Sequence, residues 1–331
     1  MVRAGLATTL TIVAFAALAT AARAEPPPDP DADDQGDFWG SVLAPHGIEV
    51  ATLVDSGRQQ VALAHQAGEG RGDPRFRAQR LREAAAIADR IRALDPQAPA
   101  LELLLGAIAD EAGRTTAATR HLDAFVARAE PGPMRTEALL RLGRIALTRR
   151  DPAAAVAPLL HALAEQGNRA DRARAVVLLA EALDGSGDLD GAIAMLGAAV
   201  LASPLTGEVE DNAVWLALIA AYDRDERPSA SLELIERLKQ TLGTDYALRL
   251  STALDEIPPA PLAAAWYARA LAYETGELFG QARAAWVTYL GLGPSARYRA
   301  RAQAHVDAID AALAARRPTA TSPRRRTGPR P

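Results

Sequence analysis

A small residue set in an apolar stretch recurs at a fixed interval. Gly106, Gly143 and Ala180 stand 37 residues apart, and Ile219 follows 39 further on. Repeats of this length confine a chain to architectures in which one supersecondary unit is stacked on the next, because no unit buries its apolar face alone. Between about residues 37 and 317, apolar residues recur at i, i+3, i+4 and i+7, the period of helices. Turn signals interrupt them at Asp95-Pro96, Gly113, Pro131-Gly132-Pro133, Asp151-Pro152, Gly187-Asp188, Pro228, Pro258-Pro259 and Gly276. Alternating strand patterns are lacking, so the expected fold class is all-α, with about fourteen helices.

The chain has 331 residues, 49% of them hydrophobic, which is ample for a core and excludes a disordered chain. It has no cysteine, which excludes disulfides and Cys-ligated metal sites. With 37 basic against 41 acidic residues it has no overall basic field for nucleic acid. Lys239 is the one lysine; the other basic residues are arginines, a bias that reads as a GC-rich coding genome.

Residues 1–24 carry Arg3, an uncharged apolar run from Leu6 to about Ala22, and Ala22-Arg23-Ala24 ahead of Glu25. This is the pattern of a secretory signal peptide cut after Ala24. The expected location is the periplasm of a Gram-negative bacterium, with secretion to the medium as the alternative. Residues 25–36 form a linker rich in Pro and Asp, and residues 318–331 an Arg/Pro-rich tail too poor in apolar residues to fold. The tail, with Arg324, Arg325, Arg326 and Arg330, is the part suited to an anionic surface. No later stretch is long and apolar enough to be a membrane span.

The landmarks within each unit resemble the tetratricopeptide repeat, a pair of helices marked by a few apolar positions. Trp215, Leu218, Ile219 and Tyr222 have the W-x2-L-G-x2-Y spacing, with Ile in place of Gly. Trp266, Ala270 and Tyr273 repeat it, and Ala282, Trp286, Tyr289 and Pro294 follow at the offsets of a second helix. Leu179-Ala180, Leu142-Gly143 and Leu105-Gly106 head three further units, with Ala192, Ala155 and Ala118 in the partner helices. Upstream, Ala84, Ala88, Ile91 and Pro96 look like the second helix of one more, its first helix near 48–66. The sequence departs from the family in its 37-residue period, in Glu102, Arg269 and Ser231 at apolar landmarks, and in an excess near 245–256 that reads as an extra helix. The resemblance implies a right-handed α-solenoid of five to six hairpins, closed by a polar capping helix near 295–316. Close crossings are expected at Gly106/Ala118, Gly143/Ala155 and Ala180/Ala192.

The chain lacks any recognisable catalytic constellation. The histidines, His46, His65, His121, His161 and His305, have no metal-binding spacing. The Gly68–Gly72 segment lacks the G-K-[ST] ending of a phosphate loop, and no G-x-S-x-G elbow occurs. The expectation is therefore a non-enzymatic protein with no cofactor and no metal.

In the resembled family, ligands lie along the first helices of the hairpins. The matching positions here are Leu103, Leu140, Val177, Leu216 and Tyr267, then Arg144 and Glu181, then Asp110, Asp184, Asp223 and Glu274. The acids leave two roles open: helix-turn capping, or a rim that selects a cationic or peptide ligand. Paired Lys and Asn that clamp a terminal carboxylate in some members are replaced by Leu103, Ala107, Leu140 and Arg144. The implied function is an interaction scaffold of the cell envelope that binds an extended or helical segment of a protein partner. The alternatives are an accessory domain of an envelope enzyme, or a self-assembling protein joined through the aromatic-rich unit of Trp266, Tyr267, Trp286 and Tyr289.

Overall fold

The computed structural model describes residues 46–68, 73–165, 167–202 and 207–316. The expected signal peptide, linker and basic tail lie outside the described residues. Every described element is a helix: α1 Gly47–Gly68, α2 Pro74–Leu94, α3 Pro99–Glu111, α4 Thr115–Val126, α5 Pro133–Thr148, α6 Pro152–Ala164 and α7 Arg169–Gly185. They continue with α8 Leu189–Ala202, α9 Val209–Arg224, α10 Pro228–Leu242, α11 Tyr246–Glu256, α12 Leu262–Thr275, α13 Phe279–Gly291 and α14 Ala296–Arg316. A three-residue 3₁₀ turn joins α10 to α11.

Local chemistry sets the helix starts. Pro74, Pro99, Pro133, Pro152 and Pro228 occupy first turns, where the missing N–H costs nothing. Asp151 caps α6 by accepting from the Ala154 amide at 3.1 Å, and Asn168 caps α7 by accepting from Asp171 at 2.8 Å.

The hairpins close with one backbone device, used five times. After α3, the Gly113 amide donates to the Asp110 carbonyl at 2.9 Å and Arg114 to Ala109 at 2.8 Å. The same bonds run from Arg150 and Asp151, from Gly187 and Asp188, from Glu226 and Arg227, and from Glu277 and Leu278. This is the Schellman ending, which needs one residue at positive φ. Gly113 and Gly187 supply it freely at +71° and +89°, while Arg150, Glu226 and Glu277 adopt it with side chains at +61°, +57° and +56°.

Each helix packs on the next in sequence. The first helices of successive pairs (α1, α3, α5, α7, α9, α12) also touch one another in order. The extra helix α11 contacts both α9 and α12, which still meet. The core is accordingly a series of apolar clusters along the chain, from Val54, Ala84 and Ile91 at one end to Tyr267, Trp286 and Val306 at the other.

Within the hairpins the close approach is real, and the atoms nearest to each glycine belong to a leucine of the partner helix. A Cβ on Gly106 would lie 2.8 Å from Leu122, and one on Gly143 would lie 2.5 Å from Leu159. The nearest atoms thus belong to side chains one turn beyond Ala118 and Ala155. Both leucines are fully buried, so neither can swing aside. Gly143→Ala is expected to cost about 1–3 kcal/mol through overpacking. Urea unfolding would measure it, and adding Leu159→Ala should make the pair cost less than the sum of the two changes.

Candidate functional site

The carboxylates at the ends of α3, α7, α9 and α12 form the chemically richest part of the molecule. They sit where a first helix enters its Schellman turn, a place where the helix dipole disfavours negative charge by about 0.3–1 kcal/mol. Their backbone carbonyls serve the turns. Their side chains do not cap; they reach cations and phenols.

Asp223, at the end of α9, is 4% exposed. Tyr267 donates its hydroxyl to Oδ2 at 2.5 Å, and Arg301 donates to both carboxylate oxygens at 2.5 and 3.3 Å. His305 Nε2 lies 3.2 Å from both oxygens. Burial pushes the Asp223 carboxyl up, but the bonds from His305, Arg301 and Tyr267 outweigh it and hold it well below the usual carboxylate range. Burial, and then the Asp223 charge, push the Tyr267 phenol well above its ordinary value, so it stays a donor.

His305 faces a second acid through its other nitrogen. Nδ1 lies 2.9 Å from Glu274, whose Oε2 also accepts from Trp286 Nε1 at 2.9 Å. With a carboxylate at each nitrogen, both must carry a proton, so the ring is an imidazolium. It stacks on Trp286 with ring centroids 4.6 Å apart and planes 14° apart. Burial lowers its pKa, but the bonds and charges of Asp223 and Glu274 prevail and raise it to about 9. The folded value lies above the ordinary 6.5, so the stabilisation is complete below about pH 6.5 and is lost as pH rises through about 9. Unfolding free energy is expected to fall by about 2–3 kcal/mol between pH 6.5 and 9.5, and His305→Gln to flatten that slope. Urea titrations across this range would check it; a flat wild-type profile would refute a charged His305.

Arg224, one residue beyond Asp223, points into a second buried set. Its Nη1 donates to both oxygens of Glu181 at 3.1 and 3.0 Å and to Asp184 at 2.9 Å. The guanidinium lies 4.8 Å from the Tyr267 ring centroid and 5.6 Å from that of Tyr298. Tyr298 donates its hydroxyl to the other Asp184 oxygen at 2.5 Å. Burial, with Asp184 nearby, pushes the Glu181 carboxyl up despite Arg224.

The N-terminal half carries a separate network. Asp110 accepts from Arg141 at 3.1 Å and from Arg144. Glu137 joins Arg58 to Arg141 at 2.6 and 3.1 Å. Burial raises the Glu137 carboxyl, and the two guanidinium groups more than reverse it.

Tyr298, Arg301 and His305 all belong to α14, which the sequence marks only as a polar cap. Its backbone packs on α13. Its side chains reach across to α12, α9 and α7, the last contact spanning 114 residues of sequence. The sequence-derived site residues fall into two sets. Leu103, Leu140, Val177, Leu216 and Tyr267 are packed into the interior, none more than 7% exposed. Glu181, Asp184, Asp223 and Glu274 come together under α14, and Asp110 and Arg144 pair with each other about the α3–α5 junction. Sequence reasoning missed Arg224, Tyr298 and His305. The i, i+3, i+7 spacing of Tyr298, Arg301 and His305 along one face of a helix is the signal that could have found the last two.

Elsewhere, a hollow of about 620 Å³ opens at the N-terminal end, lined by Val50, Val54, Leu94, Pro99 and Met134 among others. Among the described residues no group of three or more His, Asp or Glu side chains is placed to hold a metal ion, and no helix is long and apolar enough to cross a membrane. No protein-family model matches the chain, and no curated protein is significantly similar to it.

Proposed function

We propose that the chain is a tetratricopeptide-type α-solenoid that works as a non-enzymatic interaction scaffold, exported to the cell envelope, and binds an extended or helical segment of a partner protein. The observation that carries this reading is the repetition of one hairpin: the same Schellman ending five times, with first helices touching in series. Stacked hairpins hold a surface in place before a ligand arrives, which lowers the ordering cost of binding. On the first helices, the side chains that reach solvent include two arginines of α5 and α7. There Arg144 and Arg174 have side chains 35% and 43% exposed.

The test uses residues 25–331 as bait in envelope extracts, beside a bait carrying Arg144→Gln, which keeps a donor for Asp110, and Arg174→Glu. A stoichiometric partner held by the first and lost by the second, with equal melting temperatures, supports a scaffold binding on this face. A partner held equally by both moves binding off the face, and no partner in any extract overturns the reading. N-terminal sequencing of exported protein should give Glu25; an intact Met1 overturns the export proposal.

A further inference from the structure

The C-terminal rim presents four carboxylates, Glu181, Asp184, Asp223 and Glu274, and the first helices offer them one guanidinium, Arg224. The missing positive charge comes from α14. Arg301 and His305 bind Asp223, and His305 also binds Glu274. Arg297 donates to the Arg224 carbonyl at 3.3 Å, and Tyr298 completes Asp184. Without this helix the rim would turn four carboxylates and one guanidinium toward water, an excess of negative charge that favours a cationic occupant.

The hold on α14 is part apolar and part ionic. Ala302, Val306 and Ile309 are buried in the C-terminal cluster with Tyr298 and Leu313 packed against it, and Arg301 and His305 add the charged contacts. It joins α13 through Gly291-Leu292-Gly293-Pro294, with Gly293 at φ +71°. Gly293 gives the corner its conformational freedom, and a swing there uncovers the α13 face on which α14 packs, Trp286 included.

We propose that α14 is a displaceable in-chain occupant of the acidic rim, and that the partner recognised there is a cationic helix presenting an aromatic ring, a guanidinium and a second cation at i, i+3 and i+7. This rests on the scaffold reading above and adds to it a second, conditional site with a ligand of stated chemistry. α14 itself is the template: Tyr298, Arg301 and His305 have that spacing, Tyr298 meeting Asp184, Arg301 and His305 sharing Asp223, and His305 adding Glu274. The built-in helix makes binding conditional, because a ligand sees only the fraction of molecules in which the rim is uncovered.

The probe is a fluorescein-labelled peptide with the sequence of residues 294–316, titrated by anisotropy into the full chain. Wild type is expected to bind it weakly. The full-length variant Arg301→Ala/His305→Gln, which loosens the resident helix, is expected to bind at least about tenfold more tightly, with the gain abolished in 0.5 M NaCl. Equal affinity for both proteins, or no binding to the loosened variant, overturns the proposal. Should that variant melt before the assay temperature, Tyr298→Phe/Arg297→Ala provides the same comparison with Asp223 left paired. The two proposals fail separately: a partner captured through the Arg144 and Arg174 face with no peptide competition leaves the scaffold standing and removes only the role of α14.

Discussion

Replacing Arg224 by alanine is expected to destabilise the protein by about 3–5 kcal/mol, the cost of leaving buried charge without its partner. The guanidinium is 7% exposed and serves three carboxylate oxygens on α7. Its removal strands Glu181 and Asp184, whose side chains are 12% and 8% exposed. Proton uptake would relieve part of this, and Glu181 is already the acid whose environment favours the neutral form. The variant should therefore regain stability on acidification, opposite to the acid sensitivity expected around Asp223. Combining Arg224→Ala with Glu181→Gln and Asp184→Asn should recover part of the loss, since two neutral amides cost less to bury than two anions. Arg224→Lys should recover only part of the loss: all three contacts come from one nitrogen, Nη1, which an ammonium can imitate, but the guanidinium's place over the Tyr267 ring is given up. Urea unfolding at pH 5 and 7 measures all of this. A loss below about 1 kcal/mol would mean that the two carboxylates reach water when Arg224 is gone.

Trp286→Ala is expected to cost a similar amount, about 3–5 kcal/mol, for a different reason. Trp286 is the largest fully buried side chain. Its ring meets Tyr267 edge-on at a centroid distance of 4.9 Å and Tyr289 at 6.1 Å, while His305 covers its face. Its Nε1 holds Glu274 in place for His305. Removing it opens a cavity and loosens an acid together. Trp286→Phe separates the two: it keeps much of the volume, loses the N–H, and should fall between wild type and alanine. If phenylalanine proves as damaging as alanine, the hydrogen bond to Glu274 dominates the cavity. In either variant, the alkaline loss of stability tied to His305 should begin at lower pH, because Glu274 no longer has a fixed position.

Much of the helical order was legible in the sequence because it rests on local rules. Proline at first turns, apolar residues at helical spacing and small residues 37 apart announce helices and their repetition. The Schellman turns were half legible: Gly113 and Gly187 announce them, whereas Arg150, Glu226 and Glu277 at positive φ do not, because there the turn's paired hydrogen bonds hold exposed residues against their own preference. Side-chain partners were least legible. The landmarks placed Gly143 at a close crossing with the Ala155 helix, and the side chain nearest it there is Leu159, one turn further on, which the repeat spacing does not single out. The acids Asp184, Asp223 and Glu274 were visible as a stripe with two open roles. Their partners lie 114, 78 and 31 residues onward on one helix, and no local rule carries that distance.

The reach of α14 has a temporal consequence. Chains emerge N-terminus first, at about 5–20 residues per second, and local units fold as they appear. The pairs from α1 to α8 pack only on adjoining pairs, whereas the carboxylates of α7, α9 and α12 wait for the last helix. During that interval the nascent protein carries a bare acidic rim on an otherwise assembled body. Any basic segment nearby, from a chaperone or from another emerging chain, meets that rim before its permanent occupant does.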